Sequence, residues 1–226
     1  MENKNQEQAK RKALVIVDMV NGFINEGILH DPHIDTITDE IVRLAEAYIE
    51  NGDKVIAFKD CHTEASPELI SAGGVMPPHC MKGTSEVDQV SKLAEIEKNM
   101  EVFEKNSTDG FMVPAVQQAI QDFDELAVVG CCTDICVKNF AISAKNFFNQ
   151  NNKQVIIKVP ENAVETYHNP ALDHDRGEWN QMAFRFMRQA GVEIVKSLEI
   201  FKRINFEKGL SKTQTIPPTE GGKATS

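Results

Sequence analysis

Three cysteines fall within six residues in the run Glu125-Leu-Ala-Val-Val-Gly-Cys-Cys-Thr-Asp-Ile-Cys136, where an apolar stretch stops at a glycine and gives way to helix-opening residues. A thiol in the first turn of a helix meets free backbone N–H groups and the positive end of the dipole, both of which favour thiolate. With Thr133 or Asp134 as the cap, Cys136 becomes the candidate nucleophile. Cys131 and Cys132 remain alternatives, since cysteine is also a common buried filler. Such a thiol needs a proton acceptor and something to hold the anion formed on its substrate. Asp18 closes the run Lys12-Ala-Leu-Val-Ile-Val-Asp18, and Lys105 closes Glu101-Val-Phe-Glu-Lys105. Parallel strands bring their carboxyl ends to one edge, so an acid/base, a cation and a thiol could meet there; the alternative is three unrelated strand-end residues. His168 and His174 close no strand.

A second constellation is Asp60-Cys-His62 with His79 in a Pro-Pro-His segment and a glutamate, Glu64 or Glu68, nearby. Carboxylate and imidazole at this spacing suit a divalent transition metal bound through nitrogen and oxygen, although long loops also carry histidines with no such role. The region from Cys61 to Lys92 is irregular and rich in proline and glycine. A loop so long within a compact domain is more often functional than not.

The elements that would position these groups alternate. Lys12–Asp18, Lys54–Asp60, Glu101–Lys105, Leu126–Cys131, Lys153–Val159 and Val192–Val195 read as strands. Helical spacing covers Asp35–Asn51, Glu86–Asn99, Val113–Phe123, Thr133–Asn149 and Glu178–Gln189. Leu198–Phe201 is open. This alternation predicts an α/β fold, doubly wound, with a mostly parallel sheet and helices on both faces. Gly73-Gly74 alone is a weak phosphate signal, and no Walker-type loop is present.

The 226 residues suit one domain, placed at 12–206, with a polar arm at 1–11 and a tail at 207–226 too poor in apolar residues to order itself. A net charge of −10 argues against nucleic acid and anionic membrane as partners, leaving small molecules and other subunits. Five cysteines without a secretory signal, and no apolar run long enough to span a bilayer, predict reduced thiols and a cytoplasmic location.

Taken together, Val15-Ile-Val-Asp18-Met-Val-Asn-Gly-Phe23, Phe103-Glu-Lys105 and Gly130-Cys-Cys-Thr-Asp-Ile-Cys136 resemble the motifs of the isochorismatase-like cysteine hydrolases. The resemblance spans Ala13 to Val195. Asp60-Cys-His62 with Met76-Pro-Pro-His79 resembles the metal site that marks the nicotinamidase branch. The resemblance implies a three-layer αβα fold and a homo-oligomer. It implies Asp18, Lys105 and Cys136 as catalytic residues, a cis peptide at Cys131–Cys132, and an oxyanion hole from the backbone N–H groups of Cys132 and Cys136. Phe23 and Met76 would contact the substrate, Met76 standing where the family typically has an aromatic residue. Asp60, His62, Glu68 and His79 would hold one divalent metal ion, zinc first, with manganese or iron as alternatives. The implied reaction is hydrolysis of nicotinamide to nicotinate and ammonia through a thioester. The rivals are another small amide as substrate, or a thiol-redox or binding module that needs neither Asp18 nor Lys105.

Overall fold

A computed structural model describes residues 10–207, with side chains described as far as residue 205. Most of the proposed arm and the whole tail beyond 207 lie outside these residues. Seven strands form one parallel sheet: β1 (Lys12–Val17), β2 (Lys54–Asp60), β3 (Glu101–Lys105), β4 (Glu125–Cys131), β5 (Ile156–Pro160), β6 (Val164–Glu165) and β7 (Glu193–Val195). Their order is β3-β2-β1-β4-β5-β7, with β6 paired to the end of β4. The helices are α1 (Asn21–Ile24), α2 (Thr38–Asn51), α3 (Ser91–Ala94), α4 (Pro114–Ile120), α5 (Lys138–Gln150), α6 (Arg176–Gln189) and α7 (Ser197–Glu207).

The two-residue period of the strands divides the core. Val15, Val17, Ile56, Phe58 and Val128 point to one face, where they pack under Val116, Phe140, Phe148 and Phe184 of α4, α5 and α6. Leu14, Ile16, Val55, Ala57 and Val129 point to the other, against Ile41, Leu44 and Tyr48 of α2 and Ile200 and Ile204 of α7. A central strand buried on both faces is apolar along its length, and in β1 every residue after Lys12 is. The doubly wound, parallel reading therefore holds.

Two expected helices change, and two further elements appear. The helix expected over Glu86–Asn99 shrinks to α3 between two 3₁₀ turns. Its first part instead runs beside the chain leaving β1: Asn21 N–H donates to the Asp88 carbonyl, and Val90 N–H to that of Met19. The helix expected from Thr133 opens with a π turn, Thr133–Val137, before α5 begins. β6, two residues inside a polar loop, was too short to show a period, and the open segment after β7 is helical in α7.

Candidate active site

The neighbours of β1 bring the chemistry together. Val17 pairs with Gly130, and on the other side Asp60 pairs with Lys105 across β2 and β3. Gly130 has φ +112°, and a Cβ there would lie 2.1 Å from the Val17 carbonyl oxygen, so only glycine lets the ends of β1 and β4 approach so closely. Asp18 leaves β1 in a left-handed turn, φ +51°, a conformation aspartate tolerates. Its backbone is held on both sides: the N–H donates to Phe58 O, and the carbonyl accepts from the Cys131 thiol at 3.2 Å. The Cys131–Cys132 peptide is cis.

The Lys105 ammonium is the hub. Its Nζ lies 2.8 Å from Asp18 Oδ2, 2.8 Å from Asp60 Oδ1 and 3.8 Å from Cys136 Sγ, with all four side chains buried. Burial pushes Asp18 up to about 6, more than Lys105 and the Cys136 thiol, which pull it down, can offset; the Asp60 charge pushes it further. Burial would raise Asp60 as well, but Lys105 and the two histidines hold it well below the carboxylate range. Lys105 itself is raised, because the attraction of Asp18, Cys136 and Asp60 outweighs burial. Burial also lifts the Cys136 thiol well above its ordinary value; Lys105 works against this, and Asp18 and Asp60 with it. Desolvation and two carboxylates thus outweigh the preference for thiolate at the helix end, which leaves the thiol with the need for a proton acceptor that was expected of it. The capping expectation fails: Cys132 occupies the cap position, no side chain caps the turn, and Thr133 Oγ1 is buried without a partner.

Asp60 joins this hub to a second group. His62 Nε2 and His79 Nε2 each lie 3.1 Å from Asp60 Oδ2. His79 Nδ1 is 2.7 Å from the Pro77 carbonyl, a contact that requires the proton on Nδ1 and leaves Nε2 facing the cluster. His62 is fully buried, and its Nδ1 has no partner, so its one polar contact is also through Nε2. Ligand atoms of Asp60, His62 and His79 lie within 4.8 Å of one another, a candidate site whose donor set fits a divalent metal ion. Glu68 is not gathered into this set; its Oε1 accepts from the Thr108 backbone N–H at 3.0 Å. Glu64 is exposed.

Above the hub opens a cavity of about 570 Å³. Lys105, Asp60, Cys136 and His79 reach it from the sheet edge, and Phe23, Met76, Glu68 and Cys132 also line it. Phe23 lies 5.9 Å from the His79 ring, between centroids. Cys132 is half-buried against the cavity, whereas Cys131 is fully buried. A larger surface cleft lined by Arg11, Asp124, Lys145 and Glu193 lies away from these residues and contains none of them.

One buried network was missed. Asp134 turns away from the helix start: its Oδ1 accepts from Thr166 Oγ1 at 2.5 Å, and its Oδ2 lies 3.1 Å from His174 Nε2. His174 Nδ1 faces the Tyr167 carbonyl at 3.0 Å, and the ring stacks between Tyr167 and Trp179 at 3.8 and 4.7 Å. The turn bearing Cys136 is thereby tied to Tyr167, which lines the cavity. The adjacency of Asp134 to Ile135-Cys136 was visible; its partner forty positions on was not.

Comparison with known proteins agrees with this geometry. Residues 12–199 match the isochorismatase domain. Nicotinamidase 1 of Arabidopsis thaliana is 33% identical over 153 residues, 59% of this chain, and the match spans only 61% of that protein's length. The crystal structure of nicotinamidase PncA from Bacillus subtilis superposes with a TM-score of 0.68 at 29% identity, covering 82% of this chain and all of that one. The N-carbamoylsarcosine amidase of Thermoplasma acidophilum superposes with a TM-score of 0.64 at 26% identity, covering 83% and 96%. With the domain match covering most of its length and the same sheet beneath its three strand-end residues, the chain belongs to the isochorismatase domain family.

Proposed function

We propose that this protein hydrolyses nicotinamide to nicotinate and ammonia through a thioester on Cys136. The observation that carries the reading is the Lys105 ammonium placed between Asp18, Asp60 and Cys136 at the floor of a cavity. Asp18 takes the thiol proton as Cys136 Sγ attacks the carboxamide carbon, and the C=O electrons move to oxygen, to which the N–H groups of Cys132 and Cys136 donate hydrogen bonds. The tetrahedral adduct collapses, the C–N bond breaks, and Asp18 hands its proton to the departing amine, releasing ammonia. Asp18 then removes a proton from water, whose oxygen attacks the thioester; nicotinate leaves and the proton returns to sulfur. Lys105 stays charged throughout and offsets the negative charge that passes between Asp18 and Cys136.

A divalent transition ion held by Asp60, His62 and His79, zinc first and manganese or iron as alternatives, would supply a coordination point for a ring nitrogen. Phe23 and Met76 would flank the ring, and Glu68 lines the cavity beside them. We place the enzyme in the cytoplasm as a homo-oligomer, in keeping with its composition and family; no helix among the described residues is long and apolar enough to cross a membrane.

A second reading, hydrolysis of another small amide, is favoured by Met76 and by the likeness to an amidase of an open-chain substrate. Ammonia release by metal-replete protein from nicotinamide, pyrazinamide and ureido amides separates them. Turnover of the ring amides is expected; none from either ring amide overturns the first reading.

A further inference from the structure

The mouth of the catalytic cavity is built differently from its floor. Ile28, Val75 and Leu172 line it from three separate loops and are 67%, 84% and 68% exposed. Large apolar side chains gathered at the rim of a cleft mark a surface prepared for a ligand or partner.

The loops that hold them are ordered by their own hydrogen bonds. In Glu68–Met76, the N–H groups of Val75 and Met76 both donate to the Glu68 carbonyl, and Ile70 N–H donates to Met76 O. A Cβ on Gly74 would lie 2.2 Å from the Glu68 carbonyl oxygen, so this loop closes tightly only on glycine and thrusts Val75 outward. Leu172 sits on a 3₁₀ turn capped by Asn169, whose side chain accepts from Ala171 N–H. Ile28 lies on the short loop closed by Asp31 N–H to Phe23 O.

Charge completes the picture. Among the described residues, the lysines and arginines lining the cavity are Lys105 and Arg176. Lys105 already faces two carboxylates. Arg176 donates to Asp31 Oδ2 at 2.6 Å and to the Thr166 carbonyl at 3.0 Å. Burial would raise Asp31, but the N–H groups of His33 and His168 and the Arg176 guanidinium keep it low, so the pair is closed. An anionic substrate finds neither cation unpaired and would meet Asp60 and Glu68 besides.

We infer that the site prefers, over the unsubstituted ring amide, uncharged carboxamides whose ring carries an apolar substituent reaching the rim of Ile28, Val75 and Leu172. The inference rests on carboxamide hydrolysis at Cys136 and deepens it. The cavity, within the roughly 300–1,000 Å³ range that encloses drug-sized ligands, leaves room beyond a single-ring amide.

The test measures ammonia release by metal-replete wild type from nicotinamide, from 5-propyl- and 6-propylnicotinamide, and from the anionic amide N-carbamoylglycine. Each buried methylene contributes about fourfold, less at a half-open rim, so KM for the better propyl amide is expected to fall about tenfold below that for nicotinamide. Turnover of N-carbamoylglycine should be undetectable. Val75→Ser and Leu172→Ser should each raise KM for the propyl amide by about threefold or more, and by much less for nicotinamide. Propyl amides that bind no better than nicotinamide, rim variants that change both substrates alike, or efficient turnover of the carbamoyl acid would each overturn the inference while leaving amide hydrolysis standing. Failure of all the uncharged amides would overturn the hydrolysis reading itself.

Discussion

Asp18 has two tasks with opposite requirements. It must be ionised to accept the Cys136 proton, yet basic enough to want it, and burial sets it at about 6 beside a cation that keeps it charged above that. Acid therefore removes activity: kcat/KM should show a rising limb near pH 6, falling tenfold per unit below it, as read in a pH series. Stability moves the other way, because a raised carboxyl favours the protonated folded state, and Asp18's contribution declines between pH 3.8 and about 6 as pH rises. Cys136→Ala and Asp18→Asn should each lower ammonia release by about a thousandfold or more. A thioester on Cys136 trapped by acid quench and seen by mass spectrometry checks the intermediate, and a redox or binding module would give none. Lys105→Ala leaves two buried carboxylates without their cation and should cost about 3–5 kcal/mol in denaturant unfolding. Chelation should abolish activity, and added zinc restore it. Asp18 and Lys105 were legible because each closes a strand, and Cys136 because it lies in the turn that follows one. The protonation state of Cys136 was not, since desolvation depends on what covers it.

At the scale of elements, the π turn carrying Cys136 has no side-chain cap and depends on Asp134 for its tether to Thr166 and His174. Asp134→Asn keeps the shape and weakens the charge-assisted bonds. The expected result is a kcat about 10–100-fold lower with KM changed less than about threefold, since small displacements of a nucleophile cost rate before binding. Thermal midpoint should drop by only a few degrees. An unchanged kcat with the lower midpoint would make the network purely structural. Continuous β-branched runs and amphipathic stretches such as α2 were readable because their periodicity is local. Val87, Val90 and Leu93 have helical spacing, but their segment takes part of its backbone bonding from Met19 and Asn21, and no pattern within 86–99 records that partner. The rim was invisible for the same reason: Ile28, Val75 and Leu172 come to line one cavity from segments far apart in the chain.

For the whole molecule, α7 is fastened to the sheet by charge. Glu125, nearly fully buried, accepts from Lys158 Nζ at 2.9 Å and pairs with Arg203 at 2.7 Å. Glu125→Ala strands Lys158 in the interior and should cost about 3–5 kcal/mol by denaturant titration, with kcat/KM of the folded fraction unchanged because the triplet lies at the start of β4, away from the cavity. The central position of β1 carries a further consequence. Its first partner, β2, follows after α1 and α2, but its other partner is β4, and the Cys131 thiol bonded to the Asp18 carbonyl spans 113 positions of chain. During synthesis the amino-terminal half therefore waits with one edge of a largely apolar strand unpaired until β4 leaves the ribosome. Premature termination before Cys131 should yield aggregating fragments, which makes nascent chains of this protein natural clients of chaperones that shield strand edges.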